Sequence, residues 1–559
     1  MPVPHQPSRP ASRQDSAPAA QPPRADDGRT WGHDPVAGGG SGSRAESSGS
    51  GPEPEAHATL ADPTDARDAA IRAIIHVVLA GSEGDFLAPR TDQIEDPRDV
   101  GLALAIYDAA IRRLSTIEFI ASRYLMQPIM QMPAPARAAL ICGAAQLLFL
   151  DRVPAHAAIN ESVEWVRRNG QPRLTGVVNA VLRKIAGLAS SGRLVSRYEF
   201  TPNHLPRSDG GALVVGLDER GVPLLPTEPA RCIATATGTP ERLVRHWGEA
   251  FGREEAIRQS LHRLASAPTV LNVGYLKKSI PEDGLLAYNG PGTPRHRVWI
   301  GPYSAMVELL GSRRDVWVQD ASSARAVSSA AEIVGSLSGG VVLDLCAGQG
   351  TKTRQLAACF PEATIFATDS DLRRVGVLRS ATAHLPRVRV LEIGELASRM
   401  ANRPNMIMLD VPCSNSGVLA RRVEAALRWS ESQTARLVAL QRQLLRQARE
   451  MLAPGGWILY STCSMDRAEN QEQAAWAADQ LGLDLLAEEA TFPAGLPGGD
   501  PAAYRDGAYW AVLRAGAEGG PRRGSAASHS ARAGGVHSDQ LPTLPGDVLP
   551  AHGSKEPTA

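Results

Sequence analysis

The stretch VVLDLCAGQGTKT, residues 341–353, decides the fold of the second half of this 559-residue chain. It opens with a short apolar run, rich in β-branched side chains, of the kind that forms a buried parallel strand. A glycine turn follows at residues 347–350, and the segment from Thr351 to about Phe360 predicts a helix. Glycine lets the backbone turn sharply and lets a ligand come close. A helix N-terminus offers unpaired amide donors, so this strand, turn and helix suit a nucleotide-like cofactor.

A second apolar segment, residues 364–368, ends in Asp369. This acid lies about 20 residues past the glycines, where a doubly wound sheet places a carboxylate against a ribose. The pattern fits a dinucleotide and S-adenosylmethionine equally well, and an α/β turn without any ligand would also show it.

The composition describes a globular chain of several domains, with 43% hydrophobic and 21% charged residues. No apolar run approaches the roughly 20 residues that a membrane span requires, and the polar N-terminus lacks the apolar core of a secretory signal. The formal net charge is +0, so no overall basic field indicates a nucleic-acid partner, although a local patch remains compatible with one. The six cysteines show no zinc-site spacing, and we expect no metal and a reducing cytoplasm.

Composition and periodicity also divide the chain. Both ends are rich in Pro, Gly, Ser, Ala and Arg. Because such segments cannot bury enough apolar surface to offset the entropy lost on ordering, we expect both ends to be disordered. The expected divisions are a tail at 1–60, a helical domain at 61–190, a loop-rich linker at 191–235, a small α/β subdomain at 236–315, a larger α/β domain at 316–515 and a tail at 516–559.

Two later apolar segments end in DVPCS, residues 410–414, and in STCS, residues 461–464. Because ligands of open α/β sheets bind at the carboxyl ends of the strands, we expect Cys413 and Cys463 to lie on the same edge as the glycine turn. A free cysteine is most often a small buried residue. Two cysteines on neighbouring strand ends, beside a cofactor turn, instead favour a catalytic role.

Cysteine is a suitable nucleophile for a pyrimidine. Carbon 5 of cytosine is too weak a nucleophile to take a methyl group directly, but a thiolate that adds at carbon 6 makes an enamine whose carbon 5 attacks a sulfonium methyl. A second group must help to remove the carbon 5 proton so that the thiol leaves, and an acid near nitrogen 3 balances charge. The base must also leave its stack.

Several segments resemble a known family. GAAQL (143–147), RVPAHAAINESV (152–163) and NAVLR (179–183) resemble the NusB-like RNA-binding domain at the N-terminus of the bacterial ribosomal RNA small subunit methyltransferase B family (Sun/Fmu). DVPCSNSGVL (410–419) and YSTCSM (460–465) resemble the fourth and sixth motifs of RNA 5-methylcytosine methyltransferases.

The resemblance implies a multidomain fold, with an all-α NusB-like N-terminal domain followed by an α/β Rossmann-like class I methyltransferase domain. The subdomain at 236–315 would then bind RNA. The implied activity is methylation of carbon 5 of a cytosine in 16S ribosomal RNA, with S-adenosyl-L-methionine as cofactor and small-subunit ribosomal RNA as partner. We expect a cytoplasmic monomer without a membrane partner.

The resemblance also implies residue roles. Cys463 would be the nucleophile, Cys413 would assist product release, and Asp410 would contact the base. The residues implied to hold the cofactor are Cys346, Ala347, Gly348, Gln349, Gly350, Thr351, Lys352, Asp369, Glu395 and Asp410.

The chain departs from the family pattern in both motifs. The cofactor turn reads CAGQGTKT where CAAPGGKT is usual, so Gln349 replaces a proline and Thr351 a glycine. The fourth motif reads SNSG where SGxG or SATG is common. Neither change removes a chemical group that the mechanism needs, and we predict an active enzyme with altered affinity for the cofactor.

Two alternatives remain open. A transfer RNA cytosine-5 methyltransferase would use the same chemistry, although the helical N-terminal domain favours ribosomal RNA. A non-catalytic RNA-binding protein with a degenerate methyltransferase domain is the other, and the presence of both cysteines and both aspartates argues against it. A nicotinamide oxidoreductase would use the glycine turn but has no need of two strand-end cysteines.

Overall fold

The computed structural model describes residues 62–80, 86–218, 220–290, 295–400 and 402–516. The tails expected to be disordered, 1–60 and 516–559, lie outside the described residues except for residue 516. Among the described residues, no helix combines the length and the apolar composition needed to cross a membrane.

The N-terminal part of the described chain is helical. Its helices are α1 (Ala66–Ala80), α2 (Pro97–Arg112), α3 (Leu114–Ser122), α4 (Ala134–Phe149), α5 (Ala155–Arg168) and α6 (Thr175–Ser191). Helix α4 is buried on nearly all sides and packs against the other five, as expected for a helix that is apolar all round. Its alanines and Gly143 let the neighbours come close. An added Cβ at Gly143 would lie 2.7 Å from Ser162 Oγ and 2.9 Å from a Leu182 methyl carbon.

Residues 191–235, which we expected to be a loop-rich linker, also contain short regular elements. They form an antiparallel sheet of β1 (Arg193–Val195), β2 (His204–Pro206) and β3 (Ala212–Val214), in the order β1-β3-β2, followed by α7 (Pro229–Thr237). Leu205, Leu213 and Leu225 are buried in the same core as the helices. The sequence did not indicate these strands, because strands of three residues are too short to show an alternating pattern.

A second antiparallel sheet follows. The elements are α8 (Glu241–Phe251), α9 (Arg253–His262), β4 (Thr269–Asn272), β5 (Leu285–Ala287), β6 (His296–Trp299), α10 (Tyr303–Ser312) and β7 (Trp317–Val318). The strand order is β5-β6-β4-β7, so β7 belongs to this sheet although it lies beyond residue 315.

The C-terminal part of the described chain alternates helices and strands. The elements are α11 (Ala321–Val334), β8 (Val341–Asp344), α12 (Thr351–Cys359), β9 (Thr364–Ala367), α13 (Leu372–Thr382), β10 (Val388–Val390), α14 (Leu396–Arg399), β11 (Met406–Asp410), α15 (Val423–Arg428), α16 (Glu431–Met451), β12 (Trp457–Thr462), α17 (Gln471–Leu481), β13 (Leu483–Thr491) and β14 (Ala508–Ala515).

These strands form a sheet in the order β10-β9-β8-β11-β12-β14-β13. The strands from β10 to β12 run parallel, and β14 and β13 complete the sheet antiparallel. Helices cover both faces, because Val342 of β8 packs with α11 and α12 whereas Leu343 packs with α16 and α17. This is the doubly wound sheet that the sequence predicts, and strand ends of the parallel part meet at one edge.

Close packing at Gly143 allows a test of the helical core. In Gly143→Ala the new methyl group meets Ser162 and Leu182, so we expect a loss of about 1–3 kcal/mol from overpacking and a lower melting temperature in thermal unfolding followed by circular dichroism. The matched control is Gly187→Ala in α6, where an added Cβ meets nothing within 4 Å and better helix propensity gives a gain of about 0.5–1 kcal/mol. Equal stability of the two variants would contradict the packing at α4.

Candidate active site

The two cysteines that the sequence singles out lie next to each other. Cys413 follows β11 and Cys463 follows β12, and the register of these parallel neighbours pairs Asp410 with Ser461. The loops therefore leave the sheet side by side, and the two Sγ atoms are 3.3 Å apart. The structure thus brings together the two thiols and Asp410 at the carboxyl edge of the sheet.

Asp410 is held by the neighbouring strand and by the cofactor turn. Ser461 Oγ donates to Asp410 Oδ1 at 2.7 Å, and Lys352 Nζ lies 2.8 Å from Asp410 Oδ2. Burial disfavours the Lys352 ammonium, but the charge of Asp410, the hydrogen bond to it and other nearby acidic groups together raise the lysine pKa above its ordinary value. The pair links the start of α12 to the end of β11.

Cys413 holds its proton more tightly than a free cysteine does. The hydrogen bond to the Cys463 sulfur, together with burial, raises the pKa of Cys413 well above its ordinary value. A thiol that stays protonated can donate to a neighbouring sulfur that carries negative charge. The site therefore contains a sulfur, Cys463, with a hydrogen-bond donor within reach.

A buried carboxylate that the sequence did not reveal joins the two cysteine loops. Glu469 is fully buried and its Oε2 accepts from Ser414 Oγ and Ser464 Oγ, each at 2.6 Å. Its Oε1 accepts from the Ser414 amide at 2.9 Å and from Gln441 Nε2 at 3.0 Å. Burial raises the pKa of Glu469, whereas the serine hydrogen bonds lower it. Ser414 and Ser464 follow Cys413 and Cys463 directly, so Glu469 fixes both loops to one point.

A second unforeseen contact comes from helix α8. His246 Nε2 lies 2.5 Å from Asp466 Oδ1, and Trp429 Nε1 donates to Asp466 Oδ2 at 3.2 Å. The hydrogen bond to Asp466 raises the pKa of His246, although burial acts against it. Because 220 positions separate His246 from Asp466, no local pattern could have indicated this support of the Cys463 loop.

The glycine turn has the geometry that its sequence predicts. Gly348 and Gly350 have φ values of +55° and +90°, in the region that glycine adopts without strain. An added Cβ at Gly350 would lie 2.7 Å from a Leu378 methyl carbon, whereas one at Gly348 would meet no atom within 4 Å. Gly348 N donates to Asp369 Oδ2 at 2.9 Å, so the expected ribose ligand lies directly against the turn.

The buried end of β8 fits a polar ligand beside this turn. Asp344 is fully buried, and its Oδ2 accepts from Thr353 Oγ1 at 2.7 Å. Its Oδ1 has no hydrogen-bond partner, and burial raises the Asp344 pKa to about 7. A buried acceptor without a donor suits a ligand with an amino or hydroxyl group. The unpaired Asp344 oxygen and the open space at Gly348 together make the turn compatible with a nucleoside cofactor.

The other residues expected at the cofactor lie along the same segment, with one exception. Cys346, Ala347 and Gln349 belong to the turn, and Thr351 begins α12. Glu395 lies after β10, where its Oε2 accepts from the Glu392 amide at 2.9 Å and closes a short turn. In the described residues, no cluster of three or more His, Cys, Asp or Glu side chains could hold a metal ion.

Comparison with known proteins agrees with this geometry. The model of the NusB family matches residues 64–187, and the model described as 16S rRNA methyltransferase RsmB/F matches residues 335–482. The second match contains the glycine turn and both cysteines. The fold and the site therefore define a methyltransferase with a NusB-type helical domain.

Relatives that match most of the chain show which family of methyltransferases it belongs to. Ribosomal RNA small subunit methyltransferase B of Xanthomonas campestris pv. campestris is 30% identical over 68% of this chain and 79% of its own length. The protein of the same name from Salmonella paratyphi A is 27% identical over 80% of this chain and 98% of its own length. The chain belongs to the ribosomal RNA small subunit methyltransferase B family, as its motifs predict.

A solved structure shows the same fold. The crystal structure of PH0851 covers 81% of this chain and 99% of its own chain, with a TM-score of 0.58 and 20% sequence identity. The predicted fold class, a NusB-like helical domain followed by an α/β methyltransferase domain, is confirmed.

The contact between His246 and Asp466 predicts a pH dependence of stability. Because the folded chain raises the His246 pKa, it binds this proton more tightly than the unfolded chain, whose value is about 6.5. The stabilisation is fully present below that value and is lost as pH rises through the folded-state pKa. Melting temperatures of wild type and His246→Gln should therefore differ most near pH 6 and converge at alkaline pH.

A matched control is His384→Gln. Burial lowers the pKa of His384, so its protonation opposes folding. The stability of wild type relative to His384→Gln should therefore decrease as the pH is lowered, the opposite of the result for His246. A difference between wild type and His246→Gln that grows with rising pH would contradict the stabilising role of the protonated His246.

Proposed function

We propose that this protein methylates carbon 5 of a cytosine in small-subunit ribosomal RNA, with S-adenosyl-L-methionine as methyl donor, through a covalent adduct between Cys463 and the base. The observation that carries the proposal is the 3.3 Å separation of the Cys413 and Cys463 sulfurs beside Asp410 and the glycine turn. A sheet edge with a cofactor turn and a pair of thiols suits covalent catalysis on a pyrimidine.

Each side chain has a separate task in this reaction. The Cys463 thiolate forms a bond to carbon 6 of the flipped cytosine, and the resulting enamine becomes nucleophilic at carbon 5. Bound S-adenosyl-L-methionine supplies an electrophilic methyl group. Asp410, held by Lys352 and Ser461, is the acid at nitrogen 3, and the proton it gives to that nitrogen neutralises the negative charge that develops on the ring.

Product release requires that carbon 5 loses its proton to a base and that the bond from Cys463 to carbon 6 breaks. The departing sulfur carries negative charge. Cys413 keeps its proton and lies within hydrogen-bond distance of that sulfur. Its S–H therefore stabilises the leaving thiolate, which gives Cys413 a role in release and not in attack.

Ribosomal RNA is favoured over transfer RNA as the substrate. Both relatives described above are named for the small ribosomal subunit, and the similarity includes the helical domain as well as the catalytic one. The alternative of a degenerate, non-catalytic RNA-binding protein is disfavoured by the intact arrangement of Cys413, Cys463, Asp410 and Lys352.

The two cysteines give opposite expectations when they are substituted. We expect Cys463→Ala to abolish methyl transfer and to form no covalent RNA adduct, because no nucleophile is left. We expect Cys413→Ala to accumulate a protein–RNA adduct stable to denaturation, because release loses its hydrogen-bond donor. Denaturing gels with radiolabelled ribosomal RNA measure both. Cys359→Ala, at a cysteine outside the site, is the control and should behave as wild type.

Bisulfite sequencing of RNA from cells that carry only Cys463→Ala completes this test. Loss of one methylated cytosine from 16S ribosomal RNA is expected, and loss from a transfer RNA would establish the alternative. Methyl transfer that persists in Cys463→Ala would overturn the assignment of the nucleophile.

Cofactor binding can be tested at Gly348. In Gly348→Ala the new methyl group meets no protein atom within 4 Å and so projects into the proposed ligand space. We expect isothermal titration to show about tenfold weaker binding of S-adenosyl-L-methionine, the equivalent of 1.4 kcal/mol. The matched control is Gly339→Ala, which has a φ of +68° and equally open surroundings. Equal affinity in the two variants would argue against a cofactor at this turn.

A further inference from the structure

Asn415 has an unusual backbone at the centre of the site. It lies two residues after Cys413, and its φ of +58° is the only positive value of a non-glycine residue in the described part of the chain. This left-handed conformation costs an L-residue about 1–2 kcal/mol, although asparagine tolerates it better than most. Strain of this kind persists where the surrounding structure requires it, and such positions cluster at functional sites.

The amide of Asn415 contacts both cysteines. Its Nδ2 donates to the Cys413 carbonyl oxygen at 3.0 Å. This contact fixes the orientation of the amide, because a carbonyl oxygen accepts only from the nitrogen side. Asn415 Oδ1 therefore faces the other cysteine, and the Cys463 thiol donates to it with an Sγ–Oδ1 distance of 3.1 Å.

We propose that Asn415 is a positioning residue that holds the Cys463 thiol in place until the thiol loses its proton. The inference rests on the proposed function of Cys463 as nucleophile. It adds a residue that stands where the family pattern has a small glycine or alanine.

The chemistry of an amide oxygen determines what this contact does. Oδ1 accepts a hydrogen bond but is far too weak a base to take the thiol proton. The contact therefore favours the S–H form and fixes the direction of the sulfur in the resting enzyme. Once the proton has left, the oxygen lone pairs face a negative sulfur, and the thiolate moves away from Asn415. The Cys413 S–H then remains as a hydrogen-bond donor to the sulfur.

If the role of Asn415 were only structural, its variants would give different results. If Asn415 served only to form a tight turn, glycine would serve equally well, because it adopts a positive φ without strain. Asn415→Gly would then be at least as stable as wild type and equally reactive. Asn415→Asp separates the roles further, because it retains an acceptor, loses the Nδ2 donor and adds a negative charge beside the sulfur.

The test measures the reactivity of one thiol in the full chain without RNA. Wild type, Asn415→Gly and Asn415→Asp are treated with iodoacetamide at pH 7.5, and alkylation of the peptide that contains Cys463 is followed by mass spectrometry. A hydrogen bond of ordinary strength changes the reactive fraction about two- to tenfold. We expect Asn415→Gly to react faster than wild type by such a factor and Asn415→Asp to react more slowly than wild type. Alkylation of Cys359 provides the internal reference.

Methyl transfer supplies the second readout. We expect Asn415→Gly to lower kcat about tenfold through loss of orientation and to leave KM for RNA within about twofold. The inference is overturned if Asn415→Gly matches wild type in both alkylation rate and kcat. If Asn415→Asp does not fold by circular dichroism, Asn415→Ser takes its place, and its alkylation rate should exceed that of wild type.

The proposed function and the positioning role of Asn415 can be disproved independently of each other. A wild-type protein that forms no adduct and transfers no methyl group would overturn the proposed function. The alkylation comparison would still decide whether Asn415 restrains the Cys463 thiol, since it needs neither RNA nor cofactor.

Discussion

The register between β11 and β12 is the constraint on which the arrangement of the two thiols and Asp410 depends. Asp410 lies opposite Ser461, and the cysteines stand three and two residues beyond these positions. A slip of one residue would displace one strand end by about 3.3 Å and turn its side chains to the other face of the sheet. The sulfurs would then separate, and the bond from Ser461 Oγ to Asp410 would break.

Apolar packing below the site and polar contacts above it hold this register. Ile407 and Ile458 lie opposite each other and are completely buried with Leu343 in one face of the core. At the strand ends the four donors around Glu469 satisfy a carboxylate that would be costly to bury alone. Loss of one donor leaves an unsatisfied buried acceptor, which costs more than the bond itself contributes. The fully paired Glu469 therefore fixes the loops more firmly than hydrogen bonds at the surface would.

The features that the sequence predicted depend on residues close together in the chain, whereas most of those it missed depend on residues far apart in the chain. The glycine turn, the strand ends and the two cysteines are read from short segments, because strand periodicity, glycine turns and strand-end chemistry are local properties. The antiparallel strand β13 escaped prediction, since its exposed, acid-containing pattern is that of an edge strand with little apolar signal. Glu469 and His246 act through partners that only the folded chain brings near.

Asn415 illustrates a third kind of difficulty. Its departure from the family pattern was visible, but its meaning depends on a backbone angle and on two distances that no pattern contains. The same residue could have been a neutral replacement on a surface turn. Only the contact of its amide with both cysteines gives the substitution a chemical consequence.

The helical domain also contacts the segment that follows Cys413. Val423 of α15, which follows the Cys413 loop, is buried in the core of the helical domain. Arg112 at the end of α2 donates to the carbonyl oxygen of Ala420 in that loop at 3.2 and 3.3 Å. Behind it Arg263 is fully buried, which lowers its pKa to about 9, and donates to the carbonyl oxygens of Arg112 and Thr237. These contacts join the end of α2 directly to the loop that carries Cys413. The NusB-like domain is therefore packed against the segment that follows Cys413 and is not merely tethered to it by the chain.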